Sequence, residues 1–336
     1  MDSGDGCGSP KARHPLARSP SSFGRLRLAA RAMSSFGGLA WVDGAVVALE
    51  EARVPVTDRS FLYADSVYDT VRTYGHRPFL LGDHLDRLRR SGREIGLPVP
   101  WDDGELVRIV DDLMASWPEE SEASLRLIVT RGDGGHGLAL PEPICPRLVV
   151  MARVLVPVNP SFYEEGARLG RPPEGLAKLS AIPAHIKSGS YLSNVLALRS
   201  VREQGAFEGL LRGADGSWAE ATTSNLFVVR GGALYTPGVD DHILPGVTRA
   251  LVLALAGESD IPVHEQPLYD GDLEEADEIF LTSSIKEILP ISHLDGVEVG
   301  AASPGRLTRE VSRLYQLSVR RLLSLQAARL RDVFTQ

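Results

Sequence analysis

Lys187, in the stretch AHIKSGSYLSNVLALRS (184–200), is one of four lysines in a chain whose other long cations are arginines; Lys11, Lys178 and Lys286 are the rest. Arginine stays protonated and forms no imine, whereas a lysine in a partly desolvated site loses its proton and becomes a nucleophile. Small residues follow Lys187 and leave room for a reacting group. Tyr191, one helical turn further on, would face the same space. The bland alternative is a surface lysine beside a helix start.

Glu220 in GSWAEATTSNLF is the second candidate. Strand alternation puts Trp218, Glu220 and Thr222 on one face and Ala219 and Ala221 on the other. Three hydroxyl residues and Asn225 follow, a polar cluster able to order a ligand. In ILPGVTRALVLALAG (243–257), Pro245 and Gly246 precede a helix whose first turn holds Val247 and Thr248. First-turn amides lack internal partners and make a phosphate cradle, although an ordinary capped helix has the same look. LTSSIKEILPI (281–291) adds hydroxyls at a strand end. Arg87 in HLDRLRRS could grip a phosphate bidentately or pair with Asp83. An amine nucleophile, a carboxylate and a phosphate cradle together fit pyridoxal phosphate: the carboxylate keeps the ring nitrogen protonated, so that the ring accepts electrons.

These groups need a folded frame, and the composition supplies one. The 336 residues are 43% hydrophobic and 24% charged, comfortable for two domains with a large core. A net charge of −8 argues against nucleic acid as partner. No apolar run approaches the roughly 18 residues of a membrane span. Cys7 and Cys145 have no metal-like spacing and suggest no disulfide framework, so a cytoplasmic protein without metal is expected. Residues 1–35 are rich in Gly, Ser, Pro and Arg; an acid-poor stretch of this kind can be a transit peptide, but they read rather as a disordered extension, or as a start placed too early with Met33 the working one.

From Leu39 the pattern predicts hairpins at Asp43-Gly44 and Gly75-His76-Arg77. A helix over LGDHLDRLRRSGREIGL follows, capped by Asp83 and ended by Gly96, then a second helix and two strands around GDGGHG. That makes a small α+β domain over 36–156. PVNPSF (157–162) reads as a linker. A larger α+β domain over 163–317 would hold a helix from about Tyr191 to Gln204, a Gly231-Gly232 hairpin and the strand EIFLTSS. A helical tail covers 318–336. Hairpins mixed with helices in two halves indicate α+β and not a doubly wound parallel sheet.

Seven stretches in order, YADSVYDTVRTY, HLDRL, IKSGSYLSNVLAL, AEATTSNLF, LYTPGVDDHILPGVTR, DEIFLTSSIKEILPI and DGVEVGAASPGRLTREVSRLY, resemble the fold-type IV, or class IV, pyridoxal-phosphate aminotransferases. That family includes branched-chain and D-amino-acid aminotransferases and aminodeoxychorismate lyase. The resemblance implies a two-domain α+β fold, a homodimer and pyridoxal 5'-phosphate as cofactor. It makes Lys187 the aldimine lysine and proton shuttle, and Glu220 the contact of the pyridine nitrogen. It further implies that Arg87, Val247, Thr248 and Ser284 bind the phosphate, Leu244 packs on the ring, Tyr191 stands near the phenolic oxygen and Tyr68 lines the substrate pocket. Arg72 and Arg131 are the candidates for the substrate carboxylate.

The implied activity is a ping-pong transfer of an amino group between an amino acid, branched-chain or D-type, and a 2-oxo acid. The lyase, forming 4-aminobenzoate and pyruvate, is the alternative, and a cofactor-binding protein with a decayed site is the non-enzymatic one. Several residues depart from the relatives' patterns. The step from Lys187 to Tyr191 is one residue shorter than in branched-chain enzymes and closer to the D-amino-acid group. The Arg-x-His trap of that group has no counterpart, since Arg131 and His136 lie too far apart. TRGDGGHGL resembles the lyase's glycine-rich loop instead, and Ala221 stands where a glycine is more usual.

Overall fold

The computed structural model describes residues 37–118, 121–134, 137–177, 182–240 and 242–334, with side chains described to residue 325. The extension assigned to 1–35, and His136, lie outside these residues. The chain divides into two compact units. One comprises the residues up to Leu155 together with Ile186–Ser190, the other Val156–His185 and the residues from Tyr191 onward. Lys187 therefore belongs to the first unit, where the linear division of the sequence puts it in the C-terminal one.

Six antiparallel strands build the sheet of the first unit: β1 (Gly38–Val42), β2 (Ala45–Ala48), β3 (Ser66–Tyr74), β4 (Arg77–Pro78), β5 (Ala123–Thr130) and β6 (Arg147–Val154), in the order β2-β1-β6-β5-β3-β4. Asp43-Gly44 and Gly75-His76 form the two hairpin turns, all four with positive φ, which matches the twist of the flanking strands. Arg77 already pairs with Tyr74, so the second turn has two residues where three are expected. Two helices, α1 (Leu81–Glu94) and α2 (Asp103–Met114), pack on one sheet face. Val67, Val71, Leu125, Leu127 and Val150 meet Leu85, Leu88, Leu106 and Ile109 there. A reciprocal capping box of Asp102 and Glu105 starts α2. In α1 the cap position falls to Leu80, not Asp83, which stands in the first turn.

The second unit contains nine strands: β7 (Ala167–Gly170), β8 (Glu208–Arg212), β9 (Trp218–Ala221), β10 (Ser224–Arg230), β11 (Ala233–Thr236), β12 (Val263–Glu265), β13 (Glu278–Ser283), β14 (Glu287–Leu294) and β15 (Val297–Glu298). Their order is β12-β11-β10-β13-β14-β7-β8-β9, with β15 on β14. A further pairing of β9 with β10 closes six of them into a ring. Leu169, Leu210, Trp218, Leu226, Ile279, Leu281 and Ile291 fill its core. Three long helices accompany it: α3 (Leu192–Arg202), α4 (Val247–Glu258) and α5 (Arg306–Phe334). The helix expected from Tyr191 starts one residue later. α5 runs without a break through the boundary drawn at 317/318, and the Glu278 carboxylate caps it by accepting from the N–H groups of Leu307 and Thr308. The PVNPSF segment ends inside a short helix, Ser161–Glu165. Helices and sheets mix in both units, the α+β class that the sequence implies.

Candidate active site

Lys187 is held on β3 by its own backbone. Its carbonyl accepts the Tyr68 N–H at 3.0 Å, and the Gly189 N–H reaches the Ser66 carbonyl at 2.8 Å. The Lys187 N–H donates to the Ser91 hydroxyl of α1 at 3.0 Å. Residues 187–190 are therefore non-helical, so Tyr191 does not follow Lys187 by one helical turn. A side chain at position 189 would displace the Ser66 hydroxyl, because a Cβ there would lie 2.3 Å from Ser66 Oγ. This anchoring places Lys187 Nζ over the Tyr68 ring, 4.9 Å from its centroid.

Arg87 lies one turn before Ser91 on the buried side of α1. Its Nε and Nη2 grip the two carboxylate oxygens of Asp69 on β3 at 2.8 and 2.7 Å, and His84 Nδ1 meets Asp69 Oδ1 at 2.7 Å. The i,i+4 spacing had offered Asp83 as partner; the structure gives Asp69, because only that carboxylate shares the buried interface of helix and sheet. Burial works to raise the Asp69 carboxyl, but the Arg87 guanidinium and His84 hold it well below the usual carboxylate range. Lys187 and Tyr68 thus come together within the first unit, and Arg87 is held by Asp69, the next residue along β3.

Arg131 does not join them as a substrate anchor. It is 2% exposed, and its three nitrogens donate to Asp65 Oδ2, the Gly96 carbonyl and the Ile95 carbonyl at 2.8 to 2.9 Å. This arginine ties the end of α1 to the start of β3. Asp65 also accepts from Arg59 Nε. Burial would raise the Asp65 carboxyl, but hydrogen bonds and charge from Arg131 and Arg59 keep it below its ordinary value. Arg72, on the same strand as Tyr68 and two pairs along, stacks on the Tyr74 ring at 4.1 Å. Sequence reasoning missed Arg126, whose guanidinium lies 3.8 Å from the Tyr68 centroid. Its alternation within SLRLIVT was visible, but its neighbour required the register of β5 against β3, in which Arg126 faces Thr70 and Ile128 faces Tyr68.

In the second unit Glu220 sits on β9 with a fixed carboxylate. Its Oε2 accepts the Leu244 N–H at 3.0 Å and the Asn225 amide at 2.9 Å. The same Asn225 nitrogen donates to the Leu244 carbonyl at 2.9 Å. Simple alternation fails on this strand: Trp218 and Ala221 enter one core, because the pairing of β8 with β9 shifts register between Leu210 and Arg212. The hydroxyls after Glu220 also serve a different group. Thr222 and Thr223 donate to buried Glu208, which pairs with Lys286 Nζ at 2.7 Å, and Lys286 in turn donates to Ser224. Of the polar cluster, Asn225 is the member that reaches Glu220.

Two residues beyond Leu244, Gly246 is the N-cap of α4 and supplies no side-chain cap to the first turn, where Val247 and Thr248 are nearly buried. Thr282 Oγ, on the strand position opposite Asn225, is buried without a hydrogen-bond partner among the described residues. Ser284 opens the turn between β13 and β14, and Tyr191 stands at the N-cap of α3. The first unit thus offers an amine beside an aromatic ring, and the second a clamped carboxylate and a helix start without a side-chain cap, each a group that suits pyridoxal phosphate.

Comparison with known proteins agrees. Residues 66–294 match the family model described as amino-transferase class IV. The chain is 32% identical over 277 residues to a D-alanine aminotransferase of Listeria monocytogenes, covering 82% of this chain and 93% of the relative. It is 30% identical over 291 residues to a branched-chain-amino-acid aminotransferase of Salmonella typhimurium, covering 82% and 91%. Among solved structures, the branched-chain aminotransferase from the thermophilic archaeon Thermoproteus uzoniensis with norvaline superposes with a TM-score of 0.75 at 29% identity, over 83% of this chain and 94% of that one. Family match, fold and donor set lead to one conclusion: the chain belongs to the class IV aminotransferases and is a pyridoxal-phosphate-dependent transaminase of fold-type IV.

Proposed function

We propose that the enzyme moves amino groups between aliphatic amino acids, of branched-chain or D-alanine type, and 2-oxo acids, as a cytoplasmic homodimer. The observation that carries this reading is the wall beside Lys187, where the amine stands over the Tyr68 ring with Ile128 paired to Tyr68 across the sheet. That wall suits an apolar side chain, and the names of the relatives point the same way. Arg126 over the same ring, with Arg72 further along the strand, gives a cationic anchor for the substrate carboxylate.

Pyridoxal phosphate supplies an aldehyde that takes up the amino group and a ring that accepts electron density. Lys187 would hold the cofactor through its amine, and Nζ is the group that would carry the substrate α-proton. Glu220 would meet the pyridine nitrogen, and Leu244 would pack on the ring. Arg87, oriented by Asp69, would bind phosphate, as would the first-turn amides of Val247 and Thr248 and the Ser284 hydroxyl, and Tyr191 would be the contact of the phenolic oxygen. An apolar stripe of Leu192, Val195 and Leu196 along α3, 69%, 57% and 40% exposed, supports the homodimer.

The test is a panel of L- and D-amino acids and one chiral amine against pyruvate and 2-oxoglutarate. Turnover of an aliphatic amino acid of one configuration is expected. Activity with the chiral amine alone, or pyruvate release without any acceptor, would sink the reading.

A further inference from the structure

We propose that Asn225 is a positioning residue for Glu220, and that Gly246 exists as glycine to admit it. The inference rests on Glu220 being the pyridine-nitrogen contact. A carboxylate on a flexible stem can rotate about its last torsion, and a charged partner would be the simplest way to fix it. Two neutral donors also fix this one. Glu220 Oε2 receives one N–H from the Leu244 backbone and one from the Asn225 side chain. Both donors aim at the same oxygen and so fix the plane of the carboxylate.

Asn225 is well suited to the task. It is 5% exposed and lies directly across the hairpin from Glu220 in the pairing of β9 with β10. Its second N–H goes to the Leu244 carbonyl, so both donors of one amide are committed. That bond ties the orientation of Glu220 to the segment that enters α4. The remaining side of the amide, Oδ1, packs so closely on Gly246 that a Cβ there would lie 1.9 Å away. Strand, carboxylate and helix start are locked through one side chain. An aspartate at 225 would keep the shape and replace the donors by a second carboxylate, which at 2.9 Å would have to share a proton with Glu220.

The experiment compares N225A, N225D and E220Q with the parent protein. The readouts are cofactor affinity, by titrating the apoprotein, and the ring-nitrogen signal of 15N-labelled cofactor across pH. N225A is expected to bind cofactor about tenfold more weakly, the scale of one lost hydrogen bond to a charged group, at unchanged secondary structure. N225D should behave like N225A at neutral pH and recover towards the parent as the pH falls and the shared proton restores a donor. N225A should show no such recovery, which separates orientation from packing. If E220Q leaves the nitrogen signal unchanged, the Glu220 reading falls and takes this proposal with it. If E220Q shifts the signal while N225A and N225D match the parent at every pH, the positioning role alone is overturned.

Discussion

The amine of Lys187 stands 4.9 Å from the centre of the Tyr68 ring because the Lys187 carbonyl and the Tyr68 N–H are hydrogen-bonded to each other. The proposed cofactor lysine and its aromatic wall are thus positioned by main chain, and glycine at 189 leaves room for the Ser66 hydroxyl between them. Replacing Gly189 by alanine forces Ser66 aside and lifts the lysine segment from β3. Turnover is expected to drop at least tenfold with a stability loss of about 1–3 kcal/mol, the range for overpacking. Steady-state kinetics beside thermal unfolding checks both, and parent-like turnover would contradict the anchoring.

Two arginines near the start of β3 should separate cleanly. R126A removes a cation from the face of Tyr68, and the KM for amino acids should rise about 10- to 100-fold as a charge-assisted contact is lost. R131A removes a clamp on Asp65 and two carbonyls, so it should lower stability by about 3 kcal/mol with little change in KM. The reverse pattern would return the carboxylate role to Arg131.

Asp69 gives a pH dependence with a definite sign. Its folded-state carboxyl is depressed, so its contribution is complete above the unfolded value of about 3.9 and fades as the pH falls below it. The melting temperature should hold on lowering the pH to about 5 and decline steeply below about 4. D69N should cost about 3–5 kcal/mol at neutral pH, leave Arg87 buried without its counter-charge and weaken phosphate binding. A melting temperature for D69N equal to the parent's would contradict this account of the pair.

Lys286 offers an internal control for Lys187. Its ammonium pairs with Glu208, which is 1% exposed, so K286M should destabilise the second unit by about 3 kcal/mol while the protein still takes up cofactor covalently. Loss of covalent uptake in K286M would reverse the assignment of the two lysines.

Much of this was legible beforehand because the signals are local. Asp43-Gly44 and Gly231-Gly232 punctuate alternating runs, and 3.6-residue periodicity marks α1 and α2. Pro290 within EILPISHL obscures β14 in the sequence, yet the strand carries Pro290 opposite Phe280. The site residues followed the same divide. Lys187 and Glu220 stood out by residue type, whereas Asp69 as partner of Arg87, and the burial of Arg131 against carbonyls 35 and 36 residues earlier, depend on packing between elements that spacing does not encode.

The central claim is that Lys187 bonds the cofactor, and with four lysines in the chain it can be tested directly. Borohydride reduction of the holoprotein followed by peptide mass mapping should place the cofactor-derived mass on the peptide containing Lys187, and K187A should carry none. A mass on the peptides of Lys11, Lys178 or Lys286, or no covalent mass in the parent protein, would contradict it.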